Sequence, residues 1–269
     1  MGAGLNKTMS ITQRRLRRSI LYRVLLRSFF VQSAMNYQRM QNVGFAFALQ
    51  PALAALYRGD AYQKSLTRHL LFFNSNPILS AVILGAVLKL EEQHANGHID
   101  AQSIEEFKQF MMGPVAALGD AFFWTSLKPM LASMAVLGTL LGYTWSPILF
   151  LLLYTSVQLF VRIFGVFRGY RRGDEIYLDL QEMSLVRLGS VAQLLVGIFV
   201  GASGAVFIRS ASRANNALEG PLEVFLFGSL VLIFLLSLRR KLDATGLLYI
   251  SVLGSWALFA AMNYWFPLT

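Results

Sequence analysis

The sequence contains no cysteine and only three histidines in 269 residues, and charged residues make up just 14% of it. Without cysteine there are no disulfide frameworks, thiolate nucleophiles or thiolate metal sites, and nothing from which to read a redox compartment. So little charge excludes an ordinary soluble surface, which carries roughly 25% charged residues. Acids are the scarcer sign: 14 Asp and Glu against 24 Lys and Arg, a net charge of +10. With a hydrophobic share of 55% and a mean hydropathy of +0.52, that excess suits cytoplasmic loops beside anionic headgroups. A nucleic-acid partner would need the basic residues on a soluble folded surface, so none is expected. No nucleophile–base constellation and no phosphate-cradling glycine loop is legible, so no catalytic residue, metal or cofactor is assigned.

What the chain does have is long apolar runs. Residues 188–208 and 244–269 can each cross a bilayer core, which takes about 20 residues. Residues 129–161 are too long for one crossing, and Gly142, Tyr143 and Pro147 divide them into a helical hairpin. The run 224–238 is short and would need snorkelling flanks or a thinned bilayer. The earlier runs 40–57 and 70–88 carry Pro51 and Pro77, and either span or enter and return. No signal peptide is expected, because arginines repeatedly break the apolar patch after the basic arm. The expected fold is therefore all-α and polytopic in a membrane, with proline-broken helices. A basic amphipathic arm occupies residues 1–35. A motif-rich core region follows over 36–141, with re-entrant or broken helices and a polar loop near 91–113, and a transmembrane helical region covers 142–269.

Basic residues orient the chain. The arm holds Arg14, Arg15, Arg17, Arg18, Arg23 and Arg27; further clusters are Arg168, Arg171, Arg172 and Arg239, Arg240, Lys241. Placing all three in the cytoplasm puts the N-terminus inside and Thr269 outside, with Arg209 and Arg213 as exceptions. In the arm, Leu16, Ile20, Val24 and Phe30 can share one helical face while arginines fill the rest. That pattern suits a helix in the headgroup plane, or one facing a partner.

Between residues 90 and 112 the composition turns polar. Ser103 and Glu106 have capping-box spacing. His94 and His98 stand four apart near Glu91 and Glu92, but Asn96-Gly97 reads as a turn that spoils their common face, so a solvated loop is expected instead of a metal site.

The stretch "GDAFFWTSLKP" (119–129) places Asp120, Trp124 and Lys128 among apolar residues. An ionisable residue at membrane depth usually faces a bundle interior or an aqueous path. Pro129 disfavours helix at Lys128, and irregular backbone at depth is tolerated where it lines a cavity. Asp120 and Lys128 either mark a transport element or pair as a lock between helices. "LQPAL" (49–53) is echoed by "LKPML" (127–131), and paired proline-interrupted segments point to a transporter site. "NYQRMQN" (36–42) and "FFNSNP" (72–77) supply amides and aromatic faces, as a neutral polyhydroxylated solute requires. Asn74 and Asn76 suit helix caps at least as well.

"SFFVQSAMNYQRMQNVGFAFALQPAL", "RHLLFFNSNP" and "MGPVAALGDAFFWTSLKP", in this order and spacing, resemble the IID component of the mannose/fructose/sorbose family of the bacterial phosphotransferase system. The resemblance covers nearly the whole chain. It implies a multi-pass subunit of the bacterial inner membrane that pairs with a IIC subunit to form a permease for a hexose-type sugar. Soluble IIA and IIB components would carry the phosphoryl group, and this chain would carry no phosphohistidine. It also implies a higher oligomer of IIC–IID pairs, with sugar bound near the IIC–IID interface. The candidate substrate or translocation residues are Asn36, Gln38, Gln41, Asn74, Asp120, Trp124 and Lys128. The family pattern commonly has Glu at the position of Gln38 and Arg at that of Lys128, and both departures bear on substrate choice and on transport itself. A membrane scaffold or regulatory component without efficient sugar flux is the alternative reading.

Overall fold

The structure is a computed structural model that describes residues 14–214. The chain divides into two compact units, residues Met1–Ser203 and Gly204–Thr269; of the second, only the last turns of one helix lie among the described residues. Helices α1 (Arg18–Ser28), α2 (Asn42–Leu56), α3 (Gly59–His69), α4 (Ser80–Ala95) and α5 (Ala101–Gly119) lead into a π-helical segment, Asp120–Leu127. Helices α6 (Lys128–Leu140), α7 (Ser146–Arg172), α8 (Ile176–Glu182) and α9 (Leu185–Ala214) follow. No strand occurs among the described residues; two isolated bridges join Met40 to Asn36 and to Phe73.

Helix α4 is the hub. It is apolar on every side over Ser80–Leu88, as a helix buried all round must be. Its main partner is α7, and the two backbones touch through glycine. A Cβ on Gly85 would lie 2.3 Å from the Val166 carbonyl oxygen, and one on Gly169 would lie 2.4 Å from that of Val82. Small residues at helix crossings permit this approach where lipid offers no hydrophobic drive. A second cluster (Ile78, Phe123, Leu127, Leu131 and Tyr154) joins the π segment to α6 and α7.

The basic arm forms α1, but its apolar face is not free for lipid. Leu21 and Val24 belong to the main core, and Leu25 packs with Ala81 and Val166. Phe30 does not share that face; it is exposed with Tyr22, Leu26 and Phe29. The packing is fixed in part by Arg162, in the apolar middle of α7 and only 8% exposed, which donates to the Ser28 carbonyl at 2.9 Å with its guanidinium over Phe29. An arginine at that depth needs an acceptor, and the Ser28 carbonyl at the end of α1, which also accepts from Val31 N, supplies one.

In the run 70–88 helix begins only at Ser80, after Pro77, but Pro51 and Pro129 do not break their helices as expected. Pro51 lies inside an uninterrupted α2. The carbonyl its missing N–H would have engaged, that of Phe47, accepts from Arg27 Nη1 at 3.2 Å instead. Before Pro129 the chain does not leave the helix; it widens. Lys128 is helical (φ −63°, ψ −49°) and donates to the carbonyl of Phe123, five residues back. Ser126 Oγ donates to Ala121 O at 2.8 Å and Thr125 Oγ1 to Asp120 O at 3.4 Å, again five residues back. The wider turn makes room for the ring, and the two hydroxyls add local bonds to carbonyls one turn back.

The run 129–161 does form a hairpin: α6 ends at Leu140 and Gly142 turns at φ +96°, a conformation that favours glycine, before α7 begins at Ser146. The polar stretch 91–113 is mostly helical, with only a short connection between Ala95 and Ala101. The cap of helix α5 lies three residues before the Ser103 cap expected from sequence. Asp100 is the cap, accepting from Ser103 N at 2.8 Å and Ser103 Oγ at 2.7 Å, and these bonds hold its carboxyl below the ordinary value. The turn after Asn96 is present at Gly97 (φ +76°), and His94 Nδ1 lies 2.9 Å from the Ile99 carbonyl.

Two stretches, Ser146–Glu182 and Leu185–Phe207, are long and apolar enough to cross a membrane, and their apolar side chains are largely exposed on the chain. The expected spans 224–238 and 244–269, the basic run 239–241 and Thr269 lie outside the described residues.

Candidate functional site

The segment 36–41 forms a tight turn, and α2 begins at Asn42. Asn36 closes it: its Oδ1 accepts from Arg39 N at 2.8 Å, and its Nδ2 reaches Met40 O and Asn42 Oδ1. Met40 is held at φ +55°, uncommon for a residue with a side chain, by paired backbone bonds with Asn36 at 3.0 and 2.9 Å. Such a strained residue persists only where its surroundings over-determine it. Gln41 is buried and bonds residue 75 on both sides: Nε2 donates to Ser75 O at 2.9 Å, and Oε1 accepts from Ser75 N at 3.2 Å. Asn36 thus closes the turn on itself, and Gln41 clamps it to the segment before α4. Gln38 is exposed at the turn's tip beside Tyr37.

The second amide group divides in the same way. Asn76 is buried, and its Oδ1 accepts from Ile78 N and Leu79 N at 3.0 Å each, capping the turn that enters α4. Its Nδ2 donates to Asp120 Oδ1 at 2.8 Å. Asn74 projects outward and is exposed. Gly119 permits the Asn76–Asp120 contact, since a Cβ there would sit 2.4 Å from the Asn76 side chain.

Asp120 is therefore oriented by Asn76, and among the described residues it forms no ion pair with Lys128. Lys128 turns to Trp124 instead, its Nζ 5.2 Å from the ring centroid. The isolated chain does not enclose this group: Asp120 and Lys128 are exposed and Trp124 is 43% exposed. The π segment thus presents a fixed acceptor carboxylate, an aromatic face and a cation together, the inventory that binds sugar hydroxyls and C–H faces. Of the expected residues, Asn36 closes the turn, Gln41 clamps that turn to Ser75, and Asp120 is tied to Asn76. Gln38 and Asn74 are left as exposed amides without side-chain bonds among the described residues.

Sequence reasoning missed a buried polar centre beside the clamp. Glu91 is fully buried and accepts from Tyr57 Oη at 2.6 Å, Arg68 Nη2 at 2.8 Å and His69 Nε2 at 2.8 Å. Burial opposes its charge, yet the His69 N–H, the Arg68 guanidinium and the Tyr57 hydroxyl hold the carboxyl down at about 2. Burial holds His69 below its ordinary value, so the ring is neutral and donates through Nε2, which leaves Nδ1 bare. Lys108 closes the centre, its Nζ 3.3 Å from the Arg68 carbonyl, and burial lowers it to about 8. The available signal was the adjacent Arg68-His69 pair in "RHLLFFNSNP", two polar residues at the edge of an apolar run.

The motif segments thus meet in space as well as in order. The family model for the PTS system mannose/fructose/sorbose family IID component matches residues 15–220. The chain belongs to this family of IID components, membrane subunits of phosphotransferase-system sugar permeases. It is 39% identical to the mannose-specific EIID component of Escherichia coli K12 over 203 residues, 73% of this chain and 70% of that one. It is 31% identical to the fructose permease IID component of Bacillus subtilis 168, covering 93% of this chain and 99% of its relative. The fold of this IID chain is similar to a chain of the mannose transporter ManYZ, solved by cryo-EM in complex with microcin E492. The TM-score is 0.58 at 29% identity, with 95% of this chain and 98% of that one covered.

Proposed function

We propose that this IID subunit joins a IIC subunit to form the translocation pathway for a hexose-type sugar in the bacterial inner membrane, and that soluble IIA and IIB components phosphorylate the delivered sugar. The observation that carries the reading is the exposed face of the π segment. Asp120, fixed by Asn76, stands with Trp124 and Lys128 on an apolar stretch where lipid contact would be costly. A partner subunit covering this face would complete a polar chamber with three kinds of sugar contact. Asn36 and Gln41 position the neighbouring turn, while Gln38 and Asn74 offer free amides to sugar or partner. The relatives of this chain are named for mannose and for fructose, which keeps the substrate class at hexoses. The N-terminus lies in the cytoplasm, and IIC–IID pairs assemble into a higher oligomer.

The test is Asp120→Asn and Asp120→Ala in the IIC–IID complex, scored for assembly and for sugar uptake. Losing a charge-assisted hydrogen bond costs about 1.5–3 kcal/mol, so uptake should fall roughly tenfold or more while assembly is retained, and Ala should be worse than Asn. Normal uptake by Asp120→Ala would remove the acid from the pathway. Uptake that persists when this subunit is deleted would leave only the scaffold reading.

A further inference from the structure

A cavity of about 750 Å³ opens where the start of α1, the end of α4 and the end of α7 meet. Arg14, Arg15, Arg18, Lys89 and Arg171 line it against a single carboxylate, Glu92. That carboxylate is already committed. It pairs with Lys89 at 2.8 Å and accepts from Leu16 N at 2.7 Å and from the Tyr170 hydroxyl. Arg14 donates to the Leu56 carbonyl at 2.5 Å. Among the described residues, Arg15, Arg18 and Arg171 have no carboxylate within ion-pairing distance. These three arginines are exposed around one hollow, free to turn into it, and the guanidinium fork matches phosphate oxygens. Leu16, Leu21 and Phe167 add apolar lining. The cavity also lies at the end of the candidate span Ser146–Glu182 that carries the basic run Arg168–Arg172, the end that charge bias assigns to the cytoplasm.

We infer that this cavity is a binding site for a phosphate-bearing anion at the cytoplasmic membrane boundary. An anionic phospholipid fits both parts of the lining: its phosphate meets Arg15, Arg18 and Arg171, and its glycerol and upper acyl carbons lie against Leu21 and Phe167. A free organic or inorganic phosphate would satisfy the same guanidiniums but leave the apolar lining unused. The site is distinct from the π segment, so it stands or falls independently of sugar binding.

The experiment uses the purified IIC–IID complex, stripped of lipid in neutral detergent. Cardiolipin, phosphatidylglycerol or phosphatidylcholine is titrated in and retained lipid counted by native mass spectrometry; thermal unfolding is followed in parallel with inorganic phosphate. The variant is Arg15→Gln/Arg18→Gln/Arg171→Gln, with Lys64→Gln, which lies outside this cavity, as the control. The expected result is preferential retention of the anionic lipids by the native complex, weakened at least about tenfold in the triple variant and unchanged in the control. If inorganic phosphate instead raises the unfolding temperature of the native complex but not of the variant, and lipid retention is equal, the phosphate site stands with a soluble ligand. Equal retention of anionic and zwitterionic lipid by native and variant complexes, with no phosphate response, overturns the proposal. Should the triple variant fail to assemble, Arg15→Gln and Arg171→Gln are compared singly by the same measurements.

Discussion

Glu91 illustrates how a single residue can be conspicuous in space and silent in sequence. In the chain it stands beside Glu92 at the polar end of α4, where two carboxylates read as a solvated face. Its partners Arg68 and His69 lie 23 and 22 residues earlier, and neither spacing carries a helical or strand period. Once folded, the carboxylate is the common acceptor for an arginine fork, an imidazole and a phenol, so removing it strands a buried guanidinium. Breaking one side of such a pair costs about 3–5 kcal/mol, and Glu91→Gln should lower the unfolding free energy by that order in denaturant titrations of the purified complex. The pH dependence follows from the depressed carboxyl. Its contribution is complete above the ordinary value of 4.5 and is lost as pH falls toward the folded value of about 2. The difference corresponds to about 3 kcal/mol. Native protein should therefore lose stability across that window more steeply than Glu91→Gln, and parallel profiles would deny Glu91 this role. By contrast, Asp120 was legible from sequence because an acid in an apolar run is anomalous by itself. Its partner was not: sequence weighed Lys128, eight positions on, but the contact that forms is with Asn76 across the fold.

Among the elements, the apolar runs and the hairpin at Gly142 could be read directly, because length and a turn glycine are local properties. The consequences of proline could not. Pro51 is tolerated because Arg27 reaches Phe47 O from another helix, and Pro129 because the turns before it widen to a π register with hydroxyls at Thr125 and Ser126. The first compensation uses a group that only the fold supplies, and the second a change of helical register that no local period announces. Glycine divides along the same line, for its effect depends on what lies opposite. Gly169 faces the Val82 carbonyl at the α4–α7 crossing, whereas a Cβ on Gly113, inside α5, would meet nothing within 4 Å. Gly169→Ala should force the two helices apart and destabilise by about 1–3 kcal/mol, the usual scale of overpacking. Gly113→Ala should stabilise by about 0.5–1 kcal/mol through reduced chain entropy and better helix propensity. Equilibrium unfolding of both variants in the same detergent tests the pair, and the same sign of change in both would discredit the glycine-mediated crossing.

For the whole molecule, the structure supplies two helical stretches able to span, Ser146–Glu182 and Leu185–Phe207, separated by only two residues. So short a link means that if both cross, they enter and leave on the same side, and the basic run Arg168–Arg172 near the link decides which. Cytoplasmic retention of that run puts the Gly142 turn outside and the α8 region inside. It also places the arginine-lined cavity at the inner leaflet, where anionic lipid headgroups and soluble phosphates are both at hand. Because the native chain has no cysteine, single cysteines report position without background. Asp174→Cys and Tyr143→Cys both replace exposed residues and suit an impermeant thiol reagent on intact spheroplasts. Tyr143→Cys should label in intact spheroplasts, and Asp174→Cys only after permeabilisation. The reverse pattern would invert the subunit. The basic clusters would then lie outside and the cavity would face the outer leaflet. Labelling of both positions in intact spheroplasts would mean that Ser146–Glu182 does not cross at all, and its exposed apolar side chains would have to be covered by the partner subunit rather than by lipid.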